Sequence, residues 1–481
     1  MYFQAFCIVF DKYFFTNEEN KNLEVKKKFL FLFLLLSFLY PELKAQENAP
    51  LVLDTASKAW FKVAKFGMFI HWGLYSSLAG EWQNSRNESS IWGYDAWIQL
   101  FGNISAKDYL SVAHKFNPVK FDAKQIVSAA KNAGMKYIVI TTKHHDGFCM
   151  FDSKYTKFDI ADATPFGRDP LKELSDECRK QGIVFCTYYS IPDWNNQELP
   201  QNMNIYHFHS QPKPDADVNK YIDYVCNQLK ELITKYHSHL IWFDRGDATA
   251  FNVRGESYPT AVNAKKIIET IKAANPNVLI NNRLDTAADF VTPEQFIPHS
   301  KDKSKQQYFE SCMIMGRAWG YTTYDTVKPA AELIRNLCAI AHKGGNYLLN
   351  IGPKGDGSLQ EKQLEQLTKI GDWMRTNSEA IYGTQGSPWD DIPDWGRIMR
   401  KGNTLYLMIF KQPDIGFATL DGITTMPLRI RQLDKSMPAF DLRIRPLNGS
   451  LWFLVQQHFV QKTPLVYALD FAPGMLDKIN K

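Results

Sequence analysis

The sequence predicts an α/β fold, a (β/α)8-like barrel of the TIM type followed by a C-terminal antiparallel β-sandwich. Apolar strand-like runs alternate with amphipathic helical stretches over most of the chain, and this alternation is typical of a parallel sheet covered by helices. The number of units favours a closed barrel over an open sheet. After Trp389, short alternating runs separated by Gly, Pro and Asn indicate antiparallel strands. A length of 481 residues also exceeds the usual size of a single core.

The predicted barrel strands are short apolar runs that stop at polar residues or glycine. They are Gly67–Trp72, Tyr137–Thr142, Ile183–Tyr189, Leu240–Asp244, Val278–Asn282 and Tyr347–Ile351. The predicted helices are Ala123–Ala133, Pro170–Gln181, Asn219–Tyr236, Tyr258–Ala274, Lys328–His342 and Leu359–Asn377. We therefore assign residues 46–385 to the barrel and residues 386–481 to the sandwich. The strand candidates of the sandwich include Thr404–Phe410, Leu428–Leu433 and Leu451–Val455.

The first 45 residues are predicted to be a leader that contains a secretory signal peptide. Lys26–Lys28 precede the apolar run Phe29–Leu39, and the small residue Ala45 follows. That run is shorter than the roughly 20 residues needed to cross a bilayer. We expect cleavage after Ala45, a periplasmic or secreted protein, and no membrane span in the mature chain. Because a signal peptide begins near its basic residues, one hypothesis places the true start near Val25, which makes residues 1–24 surplus.

The composition is typical of a folded enzyme without a nucleic-acid partner. Hydrophobic residues make up 45% of the chain and aromatic residues 14%, and the net charge of +5 is spread along it. Six of the seven cysteines lie outside the leader, with no paired metal-ligand spacing. We interpret them as buried small side chains, although disulfides stay open. The sequence indicates no cofactor and does not reveal the oligomeric state.

Polar and aromatic residues stand where the predicted strands end, which is where barrel enzymes collect their chemistry. Together they would form a pocket that suits a sugar, because hydroxyls need fixed donors and acceptors and the ring packs on aromatic faces. The clearest case is Asp244, which ends a continuous apolar run. We predict that Asp244 is a nucleophile; the alternative is that it caps a helix or starts a turn.

Three histidines near these strand ends, His71, His144 and His145, also admit a metal site, since imidazole is a common zinc ligand. Adjacent side chains on a strand point to opposite faces, so His144 and His145 are poor joint ligands unless the strand has already ended. We favour hydroxyl binding and predict no metal.

Several long motifs occur in order along the chain. They are Lys65–Ser76, Thr142–Phe148, Trp242–Asp244, Gly345–Pro353 and Asp356–Gly357. Together they resemble the α-L-fucosidases of glycoside hydrolase family twenty-nine, and the resemblance runs from about Trp60 to Gly383. It implies a (β/α)8-like barrel followed by a β-sandwich, and a retaining exo-α-L-fucosidase that removes terminal fucose from glycans.

The resemblance also implies roles for individual residues. Asp244 matches the nucleophile, and Asp289–Glu294 resembles the loop of the acid/base, which makes Glu294 our candidate with Glu81 and Glu310 as rivals. The residues implied to bind the sugar are His71, Glu81, Trp82, His144, His145, Tyr188, Trp242 and Arg283. The segment that contains Glu310 and Trp319 is expected to form a sixth strand and the pocket wall.

Retention requires two carboxyl groups about 5 Å apart, of which one is ionised and the other protonated. We expect donors such as the imidazoles to keep Asp244 ionised, and a less polar setting to keep Glu294 protonated. Arg283, an always-charged donor, would also keep Asp244 ionised if it lies near the nucleophile, although it could equally be a structural ion-pair partner. The chain departs from the family it resembles at two places. Leu284, after Arg283, stands where that family commonly has an aromatic residue, and Tyr308–Glu310 replaces its commoner Trp-Glu pairing. The linkage preference therefore stays open.

Two alternative functions remain at this stage. One is hydrolysis of a related sugar such as an α-L-galactoside, since a methyl group and a hydroxymethyl group differ by only about 1–3 kcal/mol in binding. The other is a catalytically silent fucose-binding protein, although binding alone needs no pair such as Asp244 and Glu294.

Overall fold

A computed structural model describes residues 58–83, 85–86, 95–199, 213–244, 261–284, 286, 288–298, 308–414, 416–436, 442–454 and 463–479. The predicted leader and its cleavage site lie outside these residues. So do residues 258–260 of one predicted helix and residue 455 of one predicted strand.

The described residues contain a parallel sheet whose strands alternate with helices, as predicted. The strands are β1 (Phe66–Ile70), β2 (Glu81–Trp82), β3 (Ser85–Arg86), β4 (Tyr137–Lys143), β5 (Val184–Ser190), β6 (Leu240–Asp244), β7 (Leu279–Ile280), β8 (Glu310–Ile314) and β9 (Asn346–Ile351). Seven of them pair in parallel in the order β7-β6-β5-β4-β1-β9-β8, while β2 and β3 form a separate antiparallel pair.

An irregular segment joins the two edge strands of this sheet. Phe290 bridges Asn281 beside β7, and Glu294 bridges Cys312 on β8, both in parallel. Val291 completes the connection through backbone hydrogen bonds on the β8 side. Residues 289–295 thus occupy the position of an eighth strand, and the predicted barrel is confirmed. The predicted strand Val278–Asn282 is shorter, at Leu279–Ile280, whereas the expected sixth strand is present as β8.

Four short helices before Ala123 were not predicted, and six later ones lie close to their predicted positions, so the described residues form ten α-helices. They are α1 (Ala59–Ala64), α2 (Leu74–Leu78), α3 (Ile98–Phe101), α4 (Ala106–Ala113), α5 (Ala123–Asn132), α6 (Pro170–Gln181), α7 (Val218–Thr234), α8 (Ala261–Ala274), α9 (Ala330–His342) and α10 (Glu361–Asn377). Local sequence explains their starts: Asp122, Asp169 and Asp217 each accept a hydrogen bond from a backbone N–H of the first turn.

Alternation of side chains along the strands separates two cores. Inward-facing residues such as Phe69, Val139, Cys186, Leu240 and Leu348 fill the barrel, and outward-facing ones pack against the helices. Inward-facing polar residues at the strand ends therefore open into the mouth of the barrel.

The C-terminal part is an antiparallel sandwich, as predicted. Its strands are β10 (Gly396–Lys401), β11 (Thr404–Ile409), β12 (Phe417–Asp421), β13 (Arg429–Gln432), β14 (Arg443–Leu447), β15 (Ser450–Leu454) and β16 (Leu465–Asp470). They form the sheets β10-β11-β16-β13 and β12-β15-β14, with Leu407 and Phe453 in the shared core. Because the other face of the first sheet, including Met408, joins the buried cluster of the barrel, the division at residues 385/386 stays a prediction.

Two further expectations can be compared with the structure. The six cysteines from Cys149 to Cys338 are free and buried, which agrees with their interpretation as buried small side chains. Within the described ranges, no helix has the length and apolar character needed to cross a membrane.

Candidate active site

The candidate site lies where the parallel strands end. Asp244 is the last residue of β6 and follows four buried residues. His144 and His145 come directly after β4, and Ser190 ends β5. Because parallel strands present their carboxyl ends at one mouth, the structure brings together residues that are far apart in sequence.

Among the described residues, two side chains donate hydrogen bonds to Asp244. The Tyr188 hydroxyl donates to Oδ2 at 2.9 Å, and Nη1 of Arg283 donates to Oδ1 at 2.9 Å. His145 Nε2 lies 3.6 Å from Oδ2, which is too far for a hydrogen bond. The expected guanidinium donor is thus present, whereas the second donor among the described residues is a phenol rather than an imidazole.

Arg283 links the two predicted catalytic carboxyl groups. While Nη1 contacts Asp244, Nη2 donates to Glu294 Oε2 at 2.7 Å, and Nε donates to Thr292 Oγ1 at 3.0 Å. Burial opposes charge on this guanidinium, but Asp244 and Glu294 outweigh it and raise the pKa of Arg283. One planar cation thus holds both groups close together.

The environment of Glu294 differs from the expected one. Its side chain is 34% exposed and lies against the Arg283 guanidinium, so the predicted less polar setting is wrong for this structure. The sequence missed this contact because Arg283 and Glu294 meet only when residues 289–295 close the barrel.

The three histidines of the site are buried and neutral. Burial lowers the pKa of His71 and His145 to about 4, and that of His144 well below its usual value. His71 Nδ1 contacts Asn350 Oδ1 at 2.7 Å, and His145 Nδ1 contacts Ser190 Oγ at 2.6 Å. Among the described residues, His144 Nδ1 and His145 Nε2 have no hydrogen-bond partner. Both atoms are buried, so each is a buried polar atom that the described residues leave unsatisfied.

The histidines were also weighed as metal ligands. Because β4 ends at Lys143, the strand argument against joint ligation by His144 and His145 does not apply. In the part of the chain that the structure describes, however, the three-residue grouping suited to a metal ion is Asp152, Asp159 and Asp162, which includes none of these histidines. The absence of a metal stays a prediction.

Aromatic rings form the wall of the site. Tyr188 stacks on Trp242 at 5.7 Å between ring centroids and on His144 at 5.6 Å. Trp319 lies 4.7 Å from the His71 ring, as expected for a wall residue. Asp95 accepts hydrogen bonds from the backbone N–H groups of Trp319 and Gly320 at 2.8 and 2.7 Å. No sequence motif pointed to Asp95.

The structure does not join Glu81 and Trp82 to the carboxyl pair. They form β2, where Glu81 is exposed and Trp82 half-buried, and the Thr323 hydroxyl donates to Glu81 at 3.4 Å. Within the described chain, no hydrogen bond or ring contact connects either residue to Asp244 or Glu294. Their predicted role in sugar binding stays a prediction.

Glu310 does not fit the rival role of acid/base. Its side chain has no exposed surface, and it begins β8, whereas Asp244 ends β6. The carboxyl accepts hydrogen bonds from Tyr137 and from Trp242 Nε1, the latter at 3.1 Å. A carboxyl enclosed in this way cannot reach the leaving group of a substrate.

A pair of carboxyl groups at the mouth of a parallel barrel, beside neutral imidazoles and aromatic rings, defines a glycoside hydrolase of the barrel class. Comparison with known proteins narrows this class. The family model described as alpha-L-fucosidase matches residues 43–379. The chain belongs to the α-L-fucosidase family.

Individual relatives agree with this assignment. The chain is 30% identical to the human plasma α-L-fucosidase over 392 residues, which cover 74% of this chain and 77% of that protein. The solved α-L-fucosidase isoenzyme 1 of Paenibacillus thiaminolyticus has 34% identity and a TM-score of 0.72, over 87% of this chain and 99% of that one. A Bacteroides thetaiotaomicron α-L-fucosidase, trapped as a covalent intermediate with 2-fluoro-fucosyl fluoride, has 28% identity and a TM-score of 0.76, over 86% and 96%.

Proposed function

We propose that the protein is a retaining exo-α-L-fucosidase that hydrolyses terminal α-L-fucose from glycans. The observation that carries this proposal is the pair Asp244 and Glu294, held on two nitrogens of the Arg283 guanidinium at the barrel mouth. Membership of the α-L-fucosidase family supports the same reaction, and the trapped intermediate of the Bacteroides relative supports a covalent route.

The reaction then proceeds in two displacements. Asp244 attacks the anomeric carbon while the bond to the leaving oxygen breaks, and Glu294 donates a proton to that oxygen. Glu294 next removes a proton from water, and the resulting attack on the anomeric carbon releases Asp244. Since a carboxyl must carry a proton to act as acid, productive substrate binding has to weaken the contact between Arg283 and Glu294.

The surrounding residues are proposed to bind the sugar. Neutral His144 and His145 each present a ring nitrogen without a partner among the described residues, and these nitrogens can meet sugar hydroxyls. The stacked rings of Tyr188 and Trp242 offer an apolar surface for the sugar ring and its methyl group. The route needs neither a metal nor a cofactor.

The decisive experiment is the release of nitrophenol from 4-nitrophenyl α-L-fucoside by the protein that starts at Gln46. The α-L-galactoside is measured in parallel, and NMR identifies the first sugar anomer released. We expect strong release from the fucoside with α-L-fucose formed first. A β-anomer first would contradict retention, whereas preference for the galactoside would change the assigned sugar.

We also propose that the protein is exported after cleavage behind Ala45. The support is the basic and apolar pattern of the leader. N-terminal sequencing of the mature protein should find Gln46 first, and a retained leader would contradict export by this route.

A further inference from the structure

A third carboxyl group, Glu310, lies inside the barrel below the proposed catalytic pair. It is fully buried, and β8 pairs it with Asn346 of β9. Burial raises its pKa to about 8, so the group carries a proton at neutral pH. The two-step reaction does not use Glu310, so its burial at this position requires another explanation.

A chain of contacts connects Glu310 to the catalytic pair. The indole Nε1 of Trp242 donates to Glu310 Oε1 at 3.1 Å. The guanidinium carbon of Arg283 lies 4.4 Å from the centre of the Trp242 ring, within the range of a cation–π contact. The same guanidinium holds Asp244 and Glu294. Each contact in this chain joins two residues that are not neighbours in the sequence.

We propose that Glu310 is a positioning residue, which fixes the Trp242 indole and thereby the Arg283 guanidinium that holds the catalytic pair. This inference rests on the proposed function. An indole has one polar atom, and in a buried setting that N–H requires an acceptor. Because Trp242 packs beside Arg283, a change in the ring orientation moves the guanidinium and, with it, the spacing of Asp244 and Glu294.

A second hydrogen bond to the same carboxyl supplies a matched control. The Tyr137 hydroxyl also donates to Glu310. Tyr137, however, begins β4, at the end of the strand away from the mouth, and no contact between described residues joins it to Arg283. Tyr137→Phe therefore removes one bond from Glu310 without disturbing the link through Trp242. A purely structural role of Glu310 would make the two bonds equivalent for catalysis.

The test compares kcat for 4-nitrophenyl α-L-fucoside and Kd for L-fucose in the full chain from Gln46. For Glu310→Leu we expect kcat to fall about ten- to hundredfold, as for a small misplacement of reacting groups, with a smaller weakening of Kd because Trp242 also contributes to the proposed sugar surface. Glu310→Gln keeps an acceptor for the indole and should stay within about threefold of wild type. Tyr137→Phe should lower the melting temperature and leave kcat within about twofold.

Several outcomes would overturn the inference. One is a folded Glu310→Leu protein with wild-type kcat, and another is a Tyr137→Phe protein that loses as much kcat as Glu310→Leu. Loss of activity in Glu310→Gln that azide restores would make Glu310 the acid/base itself.

If Glu310→Leu does not fold, Trp242→Phe tests the same link, because phenylalanine keeps a ring but lacks the N–H. Wild-type kcat in Trp242→Phe would contradict the inference. A wild-type protein without activity contradicts the proposed function instead.

Discussion

Carboxyl groups lie at both ends of the barrel interior, and their surroundings differ. At the mouth, the side chains of Asp244 and Glu294 are 14% and 34% exposed and share a cationic partner. Further inside, Glu310 has no exposed surface and its hydrogen-bond partners, Tyr137 and Trp242, are neutral. The same functional group can exchange a proton with substrate at the mouth, whereas inside it only holds a neighbour in place. Exposure and partner charge, rather than residue type, separate the two roles.

The largest effect is expected at the nucleophile. Asp244→Ala removes the attacking group, so kcat should fall by about 10⁴-fold or more, while fucose binding persists. The measurement is release of nitrophenol together with calorimetric titration of fucose. Azide should restore part of the activity and give the β-configured fucosyl azide. Unchanged turnover in this variant would remove Asp244 from its proposed role.

A smaller effect, which depends on the leaving group, is expected at Glu294. Glu294→Gln cannot donate a proton, so kcat for a poor leaving group should fall by about 10²–10⁴-fold. An activated substrate such as a 2,4-dinitrophenyl fucoside needs little protonation and should be cleaved in the first step almost as fast as by wild type. An equal loss for both substrates would contradict the role of acid/base.

Arg283→Lys tests whether the planar guanidinium is needed to hold the pair. A lysine ammonium retains the charge but cannot contact two carboxyl groups through a rigid fork. We expect kcat to fall by about 10–10²-fold while the protein stays folded. Wild-type kcat in this variant would show that a positive charge alone is sufficient to hold Asp244 and Glu294. It would also weaken the comparison between the carboxyl pair at the mouth and Glu310 inside the barrel.

The smallest effect concerns stability rather than turnover. Above its usual pKa of 4.5, Glu310 loses its proton in the unfolded chain, whereas the folded protein keeps it until the pH reaches about 8. Wild type should therefore lose stability relative to Glu310→Gln as the pH rises from 4.5 to 8, by an amount of the order of 1–4 kcal/mol.

Urea denaturation at pH 5, 7 and 8.5 measures this difference. Glu269→Gln is the matched control, because Glu269 is exposed and its replacement should leave the pH dependence unchanged. A pH-independent difference between wild type and Glu310→Gln would contradict the assignment of a protonated Glu310.

The sequence predicted the parts of the site that follow directly from a strand pattern. Asp244 ends an apolar run, and His144 and His145 follow another, so their place at the mouth was predictable. Glu294 was identified only through the family resemblance, because it lies in an irregular segment without apolar periodicity. Arg283 was expected as a donor near Asp244, but the Tyr188 donor and the polar setting of Glu294 were not, because these contacts depend on which distant residues meet at the barrel mouth.

The sequence by itself determined the fold class, the order of the main barrel strands and longer helices, the family and the two candidate carboxyl groups. These features depend on periodicity, caps and motifs, which are local properties of the chain. Only the tertiary structure decided that Arg283 joins Asp244 to Glu294 and that Glu310 is enclosed beneath Trp242. Such contacts join residues up to 173 positions apart, and they form only when barrel closure brings distant strands and residues 289–295 together.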